Sequence, residues 1–124
     1  MWASNTVNTL VMVHRRGHAA SQGEVRSGYF VLGNHDRVIR KIQDQFVWVK
    51  DIAEVNIRQQ PIVLCHYAMR VWHQSGRGAW QLYGHSHGKL PAAEGSRSLD
   101  VGVDTNAFRP YSFGEIQSRF ADVE

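Results

Sequence analysis

Three short, largely apolar runs in this chain each stop abruptly at imidazole or amide side chains. They are Tyr29–Leu32 before Gly33-Asn34-His35-Asp36, Ile62–Cys65 before His66-Tyr67, and Trp80–Tyr83 before Gly84-His85-Ser86-His87-Gly88. A run of four apolar residues bounded by glycine or proline suits a strand covered on both faces, as strands of parallel sheets are. A strand that ends this way delivers polar side chains into the loop at its carboxyl end, where the ligand sites of parallel sheets collect. The expected fold is therefore α/β, with mixed β-sheets flanked by helices.

The remaining segments fit around these three. Thr6–His14 has the β-branched and apolar content of one strand, and Arg15–Gln22 is weakly polar with a break at Gly17. Asp36 is placed to cap a helix over Val38–Phe46, where Val38, Ile39, Ile42 and Phe46 recur at helical spacing. Phe46–Lys50 and Ala53–Ile57 alternate in the manner of two paired strands, and Leu99–Val103 reads as another strand. Between them, Ala68–Gly78 is a loop rich in Arg, His and Gly, and Lys89–Ser98 is a polar connection broken by Pro91 and Gly95. Ser112 and Glu115 form a capping-box pattern ahead of a terminal helix whose Phe113, Ile116 and Phe120 share one face.

Composition narrows the function classes. A chain of 124 residues with 43% hydrophobic and 20% charged residues fits one globular domain with a real core. Leu10–Val13 is far too short to span a bilayer, and no basic leader suggests a secretory signal. The single cysteine, Cys65, excludes an intrachain disulfide and makes a reducing cytoplasm the default compartment. The formal charge of +3 favours anionic ligands such as phosphates. No basic stripe with interleaved aromatics appears, so nucleic acid is expected only as a substrate.

Taken singly, each histidine is an ordinary polar residue; three strand ends converging on imidazoles reverse that reading. If the 84–88 loop stays extended, His85 and His87 point the same way and could meet one metal together. His66 and Asn34 end neighbouring strands. Three imidazoles and an amide carbonyl suit Zn, Mn, Fe or Ni better than Mg or Ca. Cys65 and His66 are adjacent on a strand and point to opposite faces, so Cys65 is read as a small core residue. His14 and His18, four apart, would share a helix face, but Gly17 between them weakens that helix.

Gly-Asn-His-Asp at 33–36, Leu-Cys-His-Tyr at 64–67 and Tyr-Gly-His-Ser-His-Gly at 83–88 resemble the last three motifs of the calcineurin-like metallophosphoesterases. The similarity runs on through Asp100-Val-Gly-Val-Asp104 and Arg109-Pro110, close to the small bacterial and phage members, and covers roughly residues 29–124. The resemblance implies part of a four-layer sandwich and a hydrolase of phosphate esters, a phosphomonoesterase or phosphodiesterase, using two divalent transition metals. By resemblance Asn34, His66 and His85 hold one metal and His87 the other, while His35 approaches the phosphate as the catalytic residue. Arg70 and Arg77 are candidates for further phosphate contacts, the alternative being solvated loop arginines.

The chain departs from that family in residues 1–28, which form an atypical N-terminal segment. The family's Asp-x-His and Gly-Asp-x-x-Asp motifs have no counterpart there: no aspartate precedes Asp36, and Met12 stands where an aspartate would precede His14. Two divalent cations held by neutral imidazoles and one amide would lack charge compensation. The expectation is therefore one metal ion rather than two, and reduced or no turnover by this chain alone. The alternative is a non-catalytic metal- or phosphate-binding module. A half-sandwich would leave an apolar face open, which makes a homodimer a further expectation.

Overall fold

The computed structural model describes residues 28–123 in full, and the backbone alone of 2–6 and 9–13. Among these residues nine strands form two sheets, and one α-helix closes the chain. The strands are β1 (Trp2–Thr6), β2 (Thr9–Val13), β3 (Gly28–Val31), β4 (Trp48–Lys50), β5 (Ile52–Ile57), β6 (Gln60–Cys65), β7 (Trp80–Tyr83), β8 (Ser98–Asp100) and β9 (Tyr111–Ser112), followed by α1 (Phe113–Phe120). One sheet has the order β4-β3-β2-β1-β9 and the other β5-β6-β7-β8. Both are mixed: β3 and β4 run parallel, as do β6, β7 and β8, while the other pairings are antiparallel. The α/β class expected from the apolar runs is the fold observed. No helix among the described residues is long and apolar enough to cross a membrane.

β6 shows why its run Ile62–Cys65 is apolar at every position. Ile62 and Leu64 enter the main core with Val31, Ala53, Trp80, Leu82, Val101, Tyr111 and the helix residues Phe113, Ile116 and Phe120. Val63 points the other way into a second cluster with Trp72 and Ala79, which the 66–79 loop folds over that face. A strand covered on both sides has no solvated face to alternate toward. Cys65, at its end, is buried and free.

The terminal helix forms as its sequence dictates. The Ser112 hydroxyl accepts from the Glu115 N–H at 3.2 Å, and the Glu115 carboxylate accepts from the Ser112 N–H at 3.0 Å. Phe113, Ile116 and Phe120 are buried, with Trp80 lying 5.2 Å from the Phe113 ring and 5.4 Å from the Phe120 ring.

Four expectations are corrected. The helix over 38–46 is replaced by two 3-10 turns, Arg37–Lys41 and Gln43–Gln45, with no buried residue in either. Asp36 does not cap it: its carboxylate turns back to accept the Gly33 N–H at 2.6 Å. Val38 is 67% exposed, so the apolar spacing finds no surface to pack on, and a short uncapped segment is not held helical by propensity alone. Second, β4 and β5 do not pair. Asp51 alone separates them, too short for a hairpin, and the chain passes at that point from one sheet to the other. Third, the strand expected over 6–14 is the shorter β2, and the preceding Trp2–Thr6, not expected as a strand, forms β1, paired antiparallel with it from Trp2↔Val13 to Thr6↔Thr9. Fourth, the strand expected over 99–103 is shorter and shifted to Ser98–Asp100, with a 3-10 turn at Val103–Thr105. His14, His18 and the 15–22 segment lie outside the described residues.

Candidate metal centre

Three loops at strand carboxyl ends build the site. After β3, the Asp36 N–H donates to the Gly33 carbonyl at 3.2 Å while the Asp36 carboxylate holds the Gly33 N–H, a tight turn with Asn34 and His35 at its tip. After β6, the His66 carbonyl accepts from both Gly84 N–H and His85 N–H at 3.0 Å, which pins the histidine loop to the end of the neighbouring strand. After β7, the 84–88 segment turns rather than running extended, closed by the His87 N–H to the Gly84 carbonyl at 3.2 Å.

Asp100, at the end of β8, clamps this turn. One carboxylate oxygen accepts the Gly88 N–H and the other the Gly102 N–H, both at 2.9 Å. Burial raises its pKa above the ordinary carboxylate value, against those two hydrogen bonds. Gly88 has φ +73°, and a Cβ there would lie 3.2 Å from the Thr105 methyl, so glycine is the residue that fits.

The result is a convergence on one atom. His66 Nε2 lies 2.9 Å from Asn34 Oδ1 and 3.1 Å from His85 Nδ1. The His66 side chain is only 1% exposed, and its Nδ1 has no hydrogen-bond partner among the described residues. Desolvation, then the neighbouring His85, pushes the His66 pKa below 6.5, with Asp36 opposing and His35 and His87 adding to the fall. A neutral imidazole is the form that binds metal. The Tyr67 ring packs edge-on to His66 with centroids 5.0 Å apart and tilts over His85 at 4.8 Å.

Two of the three donor separations suit ligands of one ion. Ligand atoms about 2.1 Å from a first-row metal and at roughly right angles to one another are about 3 Å apart, the separation found at His66 Nε2. Two imidazole nitrogens and an amide oxygen suit a divalent transition metal. Among the described residues no group of three or more His, Cys, Asp or Glu is placed to hold a metal. Without a cation the same atoms form a hydrogen-bond network, in which Nε2–H of His66 donates to Asn34.

His87 does not join this cluster. Its Nδ1 lies 2.6 Å from Asp104 Oδ2, on the outer side of the turn, and both side chains are partly exposed. The expectation that an extended loop lets His85 and His87 meet one metal together is thereby corrected: the turn at 84–88 sends them to different partners. His35 is exposed at the tip of its turn beside Asn34. Arg70 is exposed on the segment leaving the end of β6. Arg77 lies in a 3-10 turn just before β7 begins, and the adjoining Gly78 carbonyl accepts from Gln60 at the start of β6. That is the amino end of the parallel strands, a full strand length from the histidines, so Arg77 is not brought to them.

Sequence reasoning passed over four residues that shape the site: Asp104 as the partner of His87, Asp100 as the clamp, Tyr67 as the packing ring, and Gln81. Gln81 is wholly buried; its amide oxygen accepts from Met69 N–H at 3.1 Å and the Ser98 hydroxyl at 2.8 Å, and its nitrogen donates to the Tyr67 carbonyl at 3.3 Å. A glutamine inside an otherwise apolar strand was the available signal, because a buried amide requires partners.

No family model and no curated protein matches the chain. Among solved structures, the fold is similar to that of AQ665, a protein of unknown function from Aquifex aeolicus, with a TM-score of 0.51 and 16% identity. The match covers 73% of this chain and 60% of that one, so the present chain spans about three fifths of its length. At that identity the likeness shows the fold alone.

Proposed function

We propose that Asn34, His66 and His85 hold one divalent transition metal, and that the chain is a phosphoester hydrolase module of the calcineurin-like metallophosphoesterase type with weak or no turnover by itself. The observation that supports this reading is the meeting of Asn34 Oδ1 and His85 Nδ1 at His66 Nε2, 2.9 and 3.1 Å away, from three separate strand ends. A metal there would polarise a phosphoryl oxygen and supply a hydroxide nucleophile near neutral pH. The chain's own residues do the rest. His66, kept neutral by burial, would hold the ion together with Asn34 and His85. In this reading His35, exposed and next to Asn34 in the chain, would give a proton to the leaving oxygen.

Charge sets the number of ions and the low turnover. The three donors are neutral, and the Asp104 carboxylate is engaged with His87 rather than with them. One cation with water or phosphate is tolerable in such a site; a second without a bridging carboxylate is not. The test is metal analysis together with hydrolysis of bis-p-nitrophenyl phosphate in Mn²⁺. One ion per chain and turnover that is slow, and lost in His85→Ala, is the expected result. Rapid turnover would overturn the proposed weakness, and absence of bound metal would overturn the site. The lack of a carboxylate among the donors also favours a second reading, a metal- or phosphate-binding module without catalysis; one ion with no turnover at all would select it.

A further inference from the structure

We infer that Tyr67 forms the lip of this site, on which the organic group of a bound phosphate ester stacks, so that flat aromatic esters are preferred over alkyl ones. The inference rests on the metal and phosphoester reading above. Tyr67 packs against two of the proposed ligands at once, yet 48% of its surface remains open to solvent. An aromatic ring with one part buried against imidazoles and the rest exposed is an unfilled stacking surface. Its distance to the His85 ring, 4.8 Å between centroids, is a single packing layer. An organic group joined directly to a phosphate held at the cluster would thus lie beside the ring.

The surface is also pre-formed. Gln81, rigid within β7, donates to the Tyr67 carbonyl at 3.3 Å and accepts the Met69 N–H at 3.1 Å. The loop that carries the ring is thus tied to the centre of the sheet, and little ordering is left for a ligand to impose. The competing explanation is that Tyr67 serves only to wedge the two imidazoles. Binding specificity separates the two, because a wedge has no preference among esters.

The experiment measures calorimetric binding of inorganic phosphate, methyl phosphate and phenyl phosphate to the Mn²⁺-loaded chain. Wild type and Tyr67→Phe should bind phenyl phosphate about five- to tenfold more tightly than methyl phosphate. Tyr67→Leu should lose that preference, read within the variant as a ratio of the phenyl and methyl phosphate affinities near one. Equal affinity for the two esters in the wild type, or a preference that survives in Tyr67→Leu, overturns the stacking role and leaves the metal and phosphate reading standing. Failure to take up Mn²⁺, or to bind any of the three phosphates once loaded, overturns the site reading and the stacking role with it.

Discussion

Two histidine environments lie side by side in this fold, and they differ in every physical respect. His66 is buried, kept neutral by desolvation, and its Nε2 meets an amide and another imidazole. His87, one residue beyond Ser86 on the loop that carries His85, is partly exposed and faces the carboxylate of Asp104 at 2.6 Å. The first is a hydrogen-bonded cluster around one buried imidazole, the cluster proposed above to take a cation. The second is a histidine–carboxylate contact satisfied within the protein. Proximity in sequence says little about shared chemistry here, because one tight turn gives His85 to His66 and His87 to Asp104.

The sharpest test of the contrast is removal of each imidazole. His66→Ala should abolish metal uptake and lower unfolding free energy by about 3 kcal/mol, because it empties a buried site. His85→Ala should lose metal with a smaller loss of stability, since that side chain is exposed. Urea unfolding and metal titration of the two variants measure both effects; a His66→Ala protein that binds Mn²⁺ normally would end the distinction.

Asp100→Ala probes the device that separates the two histidines. It strips partners from the Gly88 and Gly102 N–H groups and should cost about 2 kcal/mol. The loosened turn should weaken metal binding by roughly tenfold, in line with the loss of outer-shell support. Stability unchanged from wild type would mean that the turn holds itself.

The pH dependence tests the burial of His66 directly. Its folded pKa lies below the unfolded value of 6.5, so above 6.5 both states are neutral and the native state carries no penalty. As pH falls below 6.5 the unfolded chain takes up the proton first, and stability declines until the folded pKa is passed. Asp100 has the opposite sign: its pKa is raised above 3.8, so its contribution falls as pH rises from that value. Melting temperatures of the metal-free protein should therefore drop between pH 6.5 and the lower folded pKa, and His66→Gln should flatten that slope. An identical slope in the variant would show that another group titrates.

The smallest effect belongs to His87→Ala. An exposed pair of this kind contributes at most about 1 kcal/mol, and metal bound at the buried cluster should be retained. Loss of the metal on removing His87 would merge the two environments into one site.

Much of this arrangement is legible in local sequence where local forces decide it. The apolar run of β6 marks a strand covered on both faces, and Ser112 with Glu115 fixes where α1 starts, because cap and burial act within a few residues. The 37–46 segment misleads for the converse reason. Its apolar spacing is helical, but Asp36 is drawn back to Gly33 and Val38 meets no core, and neither fact is local to the segment. The same holds for β4 and β5, whose alternation suits pairing but whose single intervening residue carries the chain into another sheet.

By itself the sequence determined that three strands end in Asn34, His66 and His85, since residue type and strand periodicity are properties of short segments. Only the tertiary structure decided which of these atoms meet. The parallel alignment of β6, β7 and β8 gathers the loops at one edge, and the clamp from Asp100 and the left-handed turn at Gly88 aim His85 at His66 and His87 at Asp104. Those are long-range contacts, set by the packing of the sheet, and no spacing within a single motif encodes them.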